Sequence, residues 1–226
     1  GEMLGKKRVV MVTLNNDFGK SLAAGFKEQA KNFGVNVVAE YDYSIKDREF
    51  GPIISKIKAD KPDAIYASGY FFTAGPMVSQ IRAAGLNQPI IGQEGYDSQK
   101  FIEIAGKASE GVMITTSLDR DSSSPETKDF ISGFAKKAGY PADMVAASGH
   151  TALLVVADAL KRAGSNDASA LRDAISKTNL SASTGKISFN ALGEVQKDVQ
   201  VQVVKGGNWH HHSVISDAVL LAPPSK

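Results

Sequence analysis

An α/β fold with a parallel sheet covered by helices on both faces is predicted by two observations. Short β-branched runs recur through the first half of the chain, and between them lie segments of helical period closed by glycine. A third observation, the change of character after residue 118, predicts a second lobe that is incomplete in this chain.

The strands are predicted to open at about Val9 (VVMVTL), Val35 (VNVVAEY), Ala64 (AIYASG), Pro89 (PIIG) and Gly111 (GVMITT). Runs this apolar suit a sheet buried on both faces. Between them, Leu22, Phe26 and Ala30 recur at i, i+4 and i+8, with Gly34 as a stop signal. Phe50, Ile53, Ile54 and Ile57 form the next stripe, and Met77, Ile81 and Ala84 a third, ended by Gly85. Residues 5–118 therefore read as one parallel α/β lobe.

Beyond it, "DRDSSSP" from Asp119 has the composition of a loop or hinge. Helical segments are expected over about 125–138, 142–163 and 168–177. The middle one is apolar around most of its circumference, which implies burial on more than one side. Residues 119–182 are assigned to the other lobe. Short strands at "GKISF", "VQVQVV" and "WHHHSVI", with "NALGE" as a turn, make 183–226 return strands completing the first lobe. The helices of 119–182 then lack strands to lie on, so an upstream segment of about 100 residues is expected.

The chain has 226 residues, a net charge of +2 and no cysteine. That balance gives no electrostatic case for nucleic acid or membrane surfaces. The lack of cysteine excludes a disulfide framework and thiolate metal sites. The most apolar stretch, Ala152 to Leu160, is interrupted by Asp158 and is too short to span a bilayer. The N-terminus carries no signal peptide, as a mature secreted chain also would not.

Ligands of open parallel sheets bind beyond the carboxyl ends of the strands. There the sequence places Asn16, Asp17 and Phe18, then Tyr70, Phe71 and Phe72, then Gln93, Glu94 and Asp97. Aromatic rings at two strand ends and a carboxylate at a third describe a cleft for a small organic cation or zwitterion. Asp17 and Asp97 are read as helix caps. Glu94 lies too close to its strand to cap the next helix, and Gly95 leaves backbone room beside it, so Glu94 is the functional candidate.

Other patterns fail on context. "STGKIS" lacks the first glycine of a phosphate loop and leads into a strand. The run His210 to His212 alternates faces in a strand and cannot converge on one metal ion. No Gly-x-Ser-x-Gly elbow occurs. Neither cofactor nor metal is expected, and no catalysis. His150 lies in a mostly apolar helix, where a lone histidine is ordinarily a satisfied core residue.

The segments "RVVMVTLNNDFGKSLAAGFKEQAKNFGVNVV", "PDAIYASGYFFTAGPMVSQIRAAGL", "PIIGQEGYDS" and "ASEGVMITTSLDRDS" together resemble the periplasmic leucine/isoleucine/valine-binding proteins. These are type I solute-binding proteins of ATP-driven importers. The likeness continues through "HTALLVVADALKRAGS" and "TGKISFNALGEV", and rests on the order and spacing of the segments.

The resemblance implies a type I periplasmic-binding-protein-like fold, here without most of its first lobe. It implies that Glu94 takes a ligand α-ammonium and that Tyr70 lines the pocket on the same lobe. Phe18 and His150 fall where relatives often carry tyrosine, which puts side-chain specificity in question. The groups that hold the ligand carboxylate would lie in the first lobe. The expected partners are a small amino acid, branched-chain or otherwise apolar, and an ABC permease for the full-length protein. No nucleic acid is expected. The exposed helix faces would meet the missing N-terminal lobe or a swapped second copy. The expected location is the periplasm, or a membrane-anchored secreted form in a Gram-positive host. The alternatives are a cytoplasmic ligand-sensing regulator of the same fold, or a binder of an amide, urea or aromatic acid. A doubly wound enzyme is disfavoured, since it would need a phosphate loop or paired acid and base.

Overall fold

The computed structural model describes residues 1, 4–218, 220 and 221. The end of the 183–226 segment, residues 222–226, lies outside the described residues.

The chain runs β1 (Arg8–Leu14), α1 (Asp17–Asn32), β2 (Asn36–Tyr43), α2 (Gly51–Asp60), β3 (Ala64–Ser68), α3 (Phe71–Ala83) and β4 (Ile90–Gly92). A 3₁₀ turn, Glu94–Tyr96, precedes α4 (Gln99–Ala105), and a second, Gly106–Ser109, precedes β5 (Met113–Thr116). Then follow α5 (Pro125–Ala138), α6 (Met144–Ala163), α7 (Ala168–Ile175), β6 (Asn179–Ala182) and β7 (Gly185–Phe189). The chain closes with β8 (Val195–Gln196), β9 (Val199–Lys205) and β10 (Asn208–Ile215).

The main sheet has the order β10-β9-β5-β4-β3-β1-β2. The pairs β1·β2, β1·β3, β3·β4 and β4·β5 are all parallel, the doubly wound arrangement that the alternating periods predict. The strand order reverses between β1 and β3, which makes the carboxyl ends of those two strands the topological switch point. Residues 9–14 of β1 and all of β3 are buried. Val10, Val12, Ile65 and Ala67 face one core with Phe50, Ile57, Met77 and Ile81, while Met11, Ala64 and Tyr66 face another with Ala23. This is the two-sided burial that continuous apolar strands require.

Contacts divide the chain into two compact units. One comprises Gly1–Ile114 with Val203–Trp209, the other Thr115–Gln202 with His210–Lys226. The divisions thus fall at Ile114, Gln202 and Trp209, in place of the expected breaks after residues 118 and 182. In the first unit the returning segment is anchored by Trp209. It is buried, stacks on Phe101 at 5.7 Å, and donates from Nε1 to the Ser98 carbonyl at 3.3 Å.

The second unit corrects the expectation that its helices have no strands. β6, β7 and β8 form a three-stranded antiparallel sheet, so "GKISF" does not return to the first sheet. Val155 of α6 packs there with Ala182 and Ile187. A second cluster joins Leu118, Phe130, Ala142 and Ala147.

α6 is a further correction. Its buried residues, Ala147, Thr151, Val155 and Ala159, form one i, i+4 stripe. The opposite face is open: Val145 is 69% and Leu153 72% exposed, with Val156 and Leu160 each at 38%. Among the described residues burial on more than one side does not occur, because the small sheet and the Leu118–Phe130–Ala142 cluster both pack on the same stripe. Taken over all 20 residues, α6 is also long and apolar enough by length and composition to cross a membrane. The stretch 152–160 is only its most apolar portion.

Candidate functional site

The α1 end is set by Asn16, not Asp17. Asn16 has extended backbone and its Oδ1 accepts from the Gly19 amide at 2.8 Å, leaving Asp17 as the first helical residue. There it interacts favourably with the helix dipole without capping. Asp97 likewise does not cap α4. That role falls to Ser98, whose Oγ accepts from the Lys100 amide at 3.2 Å. Asp97 is buried, at the end of the 3₁₀ turn.

Phe18, on the first turn of α1, and Tyr70, immediately before α3, meet at the switch point. Their rings stack at 5.1 Å with 5° between planes. Phe72 extends the row, stacked on Tyr70 at 5.7 Å. All three rings are half-buried, so the stack keeps accessible area while each ring shields the next. Offset aromatic pairs of this kind stabilise beyond their area alone by about 0.5–1.5 kcal/mol each.

Glu94 opens the 3₁₀ turn that follows β4 and is half-buried. Its turn is joined to the end of β3 by the side chain of Gln93, which is buried. Gln93 Nε2 donates to the Gly69 carbonyl at 2.7 Å, and Oε1 accepts from the Gly95 amide at 2.6 Å. The approach is close enough that a Cβ on Gly95 would stand 2.1 Å from the Gly69 oxygen. The glycine is therefore required by the neighbouring backbone, beyond any clearance it gives Glu94. One residue earlier, Tyr43 Oη donates to the Ser68 carbonyl at 2.9 Å and shares a hydrogen bond with Thr73 Oγ1 at 3.1 Å. The Glu94 charge is felt at Tyr66, whose hydroxyl is pushed up to about 12, first by burial and then by Glu94.

Of the four residues named from the sequence, Phe18, Tyr70 and Glu94 lie at neighbouring strand ends of the first unit. His150 belongs to the second. It stacks on Phe130 at 4.8 Å, and its Nδ1 lies 3.0 Å from Ser183 Oγ. Ser183 also donates to the Ala147 carbonyl and lies 3.1 Å from Thr151 Oγ1, so His150 is a satisfied member of a polar cluster. Gln93 and Phe72 were not named as site residues. For Gln93 the available signal was a polar residue continuing a buried strand.

Two open cavities lie elsewhere. One of about 470 Å³ is lined by Lys20, Lys27, Glu40 and Asp42, and one of about 540 Å³ by Arg172, Ser176 and the 189–193 turn. Neither includes the strand-end residues. His210 and His211 pair with Asp121 and Asp119, each at 3.2 Å. Among the described residues no cluster of three or more His, Cys, Asp or Glu is arranged to hold a metal.

The doubly wound sheet carries an aromatic row at its switch point and a carboxylate at the neighbouring strand end, where open α/β sheets bind ligands. The chain belongs to the periplasmic binding protein family, whose model matches residues 2–208. The members of this family are solute-binding proteins, not enzymes.

It is 26% identical over 192 residues to a leucine-, isoleucine-, valine-, threonine- and alanine-binding protein of Pseudomonas aeruginosa, covering 84% of this chain and 51% of that protein. It is 24% identical to a Leu/Ile/Val-binding protein of Citrobacter freundii over 96% of this chain and 57% of the other. Among solved structures, the leucine-binding protein LivK of Thermotoga maritima matches with a TM-score of 0.85 at 31% identity, over 95% of this chain and 62% of that one. LivJ of Streptococcus pneumoniae, in complex with isoleucine, matches at 0.85 and 26%, over 95% and 61%. The fold is shared also with a solute-binding protein of R. palustris in complex with benzoate, at 0.85 and 23%, over 95% and 61%. The fold is thus type I periplasmic-binding-protein-like. The chain spans about half to three-fifths of the length of these relatives.

Proposed function

We propose that this chain is the larger part of a periplasmic solute-binding protein that captures a small apolar amino acid, branched-chain among the candidates, for an ABC importer. The observation that carries the reading is Glu94, half-buried at a strand end beside the Phe18–Tyr70–Phe72 row. A half-buried carboxylate forms a strong charge-assisted hydrogen bond to an ammonium, and the rings desolvate an aliphatic side chain next to it. The ligand would be enclosed by hinge closure of the full-length protein. The names of the relatives support the amino-acid class.

The rest of the pocket, including the groups for the ligand carboxylate, is assigned to polypeptide that the relatives carry and this chain does not match. The open face of α6 supports this. Val145, Gly149, Ala152, Leu153, Val156 and Leu160 make an apolar stripe of the width that helices bury in globular cores.

The test is calorimetry on the protein from the whole open reading frame, titrated with leucine, isoleucine and valine. Binding that is abolished in Glu94→Ala is expected. Unchanged affinity in that variant rules out the ammonium role.

A second reading is an aromatic acid, favoured by the stacked rings and by the benzoate complex of one structural neighbour. Glu94 weighs against it, because a carboxylate ligand offers it no ammonium and adds a like charge.

A further inference from the structure

We infer that Gln93 is a positioning residue that holds Glu94 and Tyr70 in a fixed relation, and that ligand affinity depends on its side-chain amide. The inference rests on the reading of Glu94 as the ammonium acceptor.

The geometry is that of a brace. β3 and β4 are adjacent and in register from Ile65↔Ile90, but the chain leaves both strands at their carboxyl ends. Past that point no ladder hydrogen bond among the described residues links Gly69 to the turn bearing Glu94. The Gln93 side chain supplies the link, donating to one backbone and accepting from the other at 2.7 and 2.6 Å. It is 2% exposed, so water does not compete for either bond. The two segments it joins are already in contact, as the 2.1 Å clearance at Gly95 shows. Tyr70 follows Gly69 directly and Glu94 follows Gln93 directly, so each site residue is one peptide from the brace.

A primary amide is the side chain suited to this task. It must donate at one end and accept at the other without charge. An ionised glutamate accepts from Gly95 but cannot donate to Gly69, and it adds a negative charge beside Glu94. A protonated glutamate restores both bonds. Methionine keeps most of the volume and removes both.

The experiment uses the protein from the whole open reading frame, with Gln93→Met and Gln93→Glu beside wild type. Amide exchange at Gly95 reads the brace without any ligand. It should accelerate by roughly tenfold in Gln93→Met while global melting stays cooperative. Leucine affinity should fall by about 10–100-fold in the same variant. In Gln93→Glu the affinity should fall as well, because the ionised carboxylate keeps the bond from Gly95 but cannot donate to Gly69.

Unchanged Gly95 exchange in Gln93→Met overturns the brace, whether or not a ligand is found. Accelerated exchange with unaltered leucine affinity overturns its positioning role. Wild-type leucine affinity in Gln93→Glu at neutral pH overturns the requirement for a donor. Failure of leucine to bind wild type overturns the amino-acid reading, while Gly95 exchange still decides the brace.

Discussion

Replacing Gly95 with alanine tests how tightly the strand ends are joined. The added Cβ would lie 2.1 Å from the Gly69 carbonyl oxygen, 3.0 Å from Gln93 Oε1 and 3.2 Å from the Gly69 carbonyl carbon. Two of these atoms are backbone, so a rotamer change cannot relieve the clash. Relief requires the two segments to part by about 1 Å, enough to break hydrogen bonds now at 2.7 and 2.6 Å. Overpacking costs about 1–3 kcal/mol, and two buried hydrogen bonds add about 1 kcal/mol each. The sum is about 3–5 kcal/mol, or roughly a 10 °C fall in melting temperature for a chain of this size. Gly25 supplies the control, since it lies in α1 with nothing within 4 Å of where an alanine methyl would stand. Gly25→Ala should stabilise by about 0.5–1 kcal/mol. Thermal unfolding followed by circular dichroism measures both. A Gly95→Ala protein melting within about 2 °C of wild type would refute the close-packed account of this turn.

Two tyrosines should respond in opposite directions to loss of a hydroxyl. Tyr43→Phe leaves the buried Ser68 carbonyl short of a donor and should cost about 1–2 kcal/mol in urea unfolding. Tyr96 Oη is buried with no hydrogen-bond partner among the described residues, so Tyr96→Phe should be neutral or stabilising by up to about 1 kcal/mol. Alkaline titration followed by tyrosinate absorbance should report the three buried tyrosines Tyr43, Tyr66 and Tyr96. Tyr43 and Tyr66 are pushed up to about 12 and Tyr96 well above the ordinary tyrosine value, all first by burial, so these three stay protonated at about pH 11. Because their folded pKa values exceed the unfolded one, their contribution to stability is complete below pH 10.0 and is lost as pH rises through about 12. Glu94→Gln should let Tyr66 ionise at lower pH, and an unmoved titration would argue against their proximity. On α6, Leu153→Glu in the 226-residue chain should leave the melting free energy within about 0.5 kcal/mol, since Leu153 is 72% exposed there. In the protein from the whole open reading frame, where this face is proposed to be covered, the loss should be larger, and an equally small loss there would argue against the cover.

The five strand–helix units were legible because each carries its own periodicity, apolar runs for strands and i, i+4 stripes for helices. The aromatic row was legible in part: "NNDF" and "GYFF" place rings at strand ends, and the strand order then brings Phe18 to Tyr70. What escaped is what depends on partners distant in sequence. β6 is four residues, "NLSA", and β8 only two. Neither has a pattern of its own, and both exist through pairing with β7. Gln93 finds Gly69 across 24 positions, a contact no local window contains. The caps failed for a different reason. Asn16 and Asp17, like Asp97 and Ser98, are adjacent residues with similar capping chemistry, and only the backbone dihedrals choose between them.

The central claim is that Glu94 reads an ammonium. It is tested most directly by titrating leucine and 4-methylpentanoate, the same acid without its amino group, into the protein from the whole open reading frame. The account predicts that leucine binds at least about 100-fold more tightly, a difference of about 2.7 kcal/mol, and that Glu94→Gln removes most of that preference. Equal affinity for the two ligands in wild type, or an undiminished preference in Glu94→Gln, would contradict it.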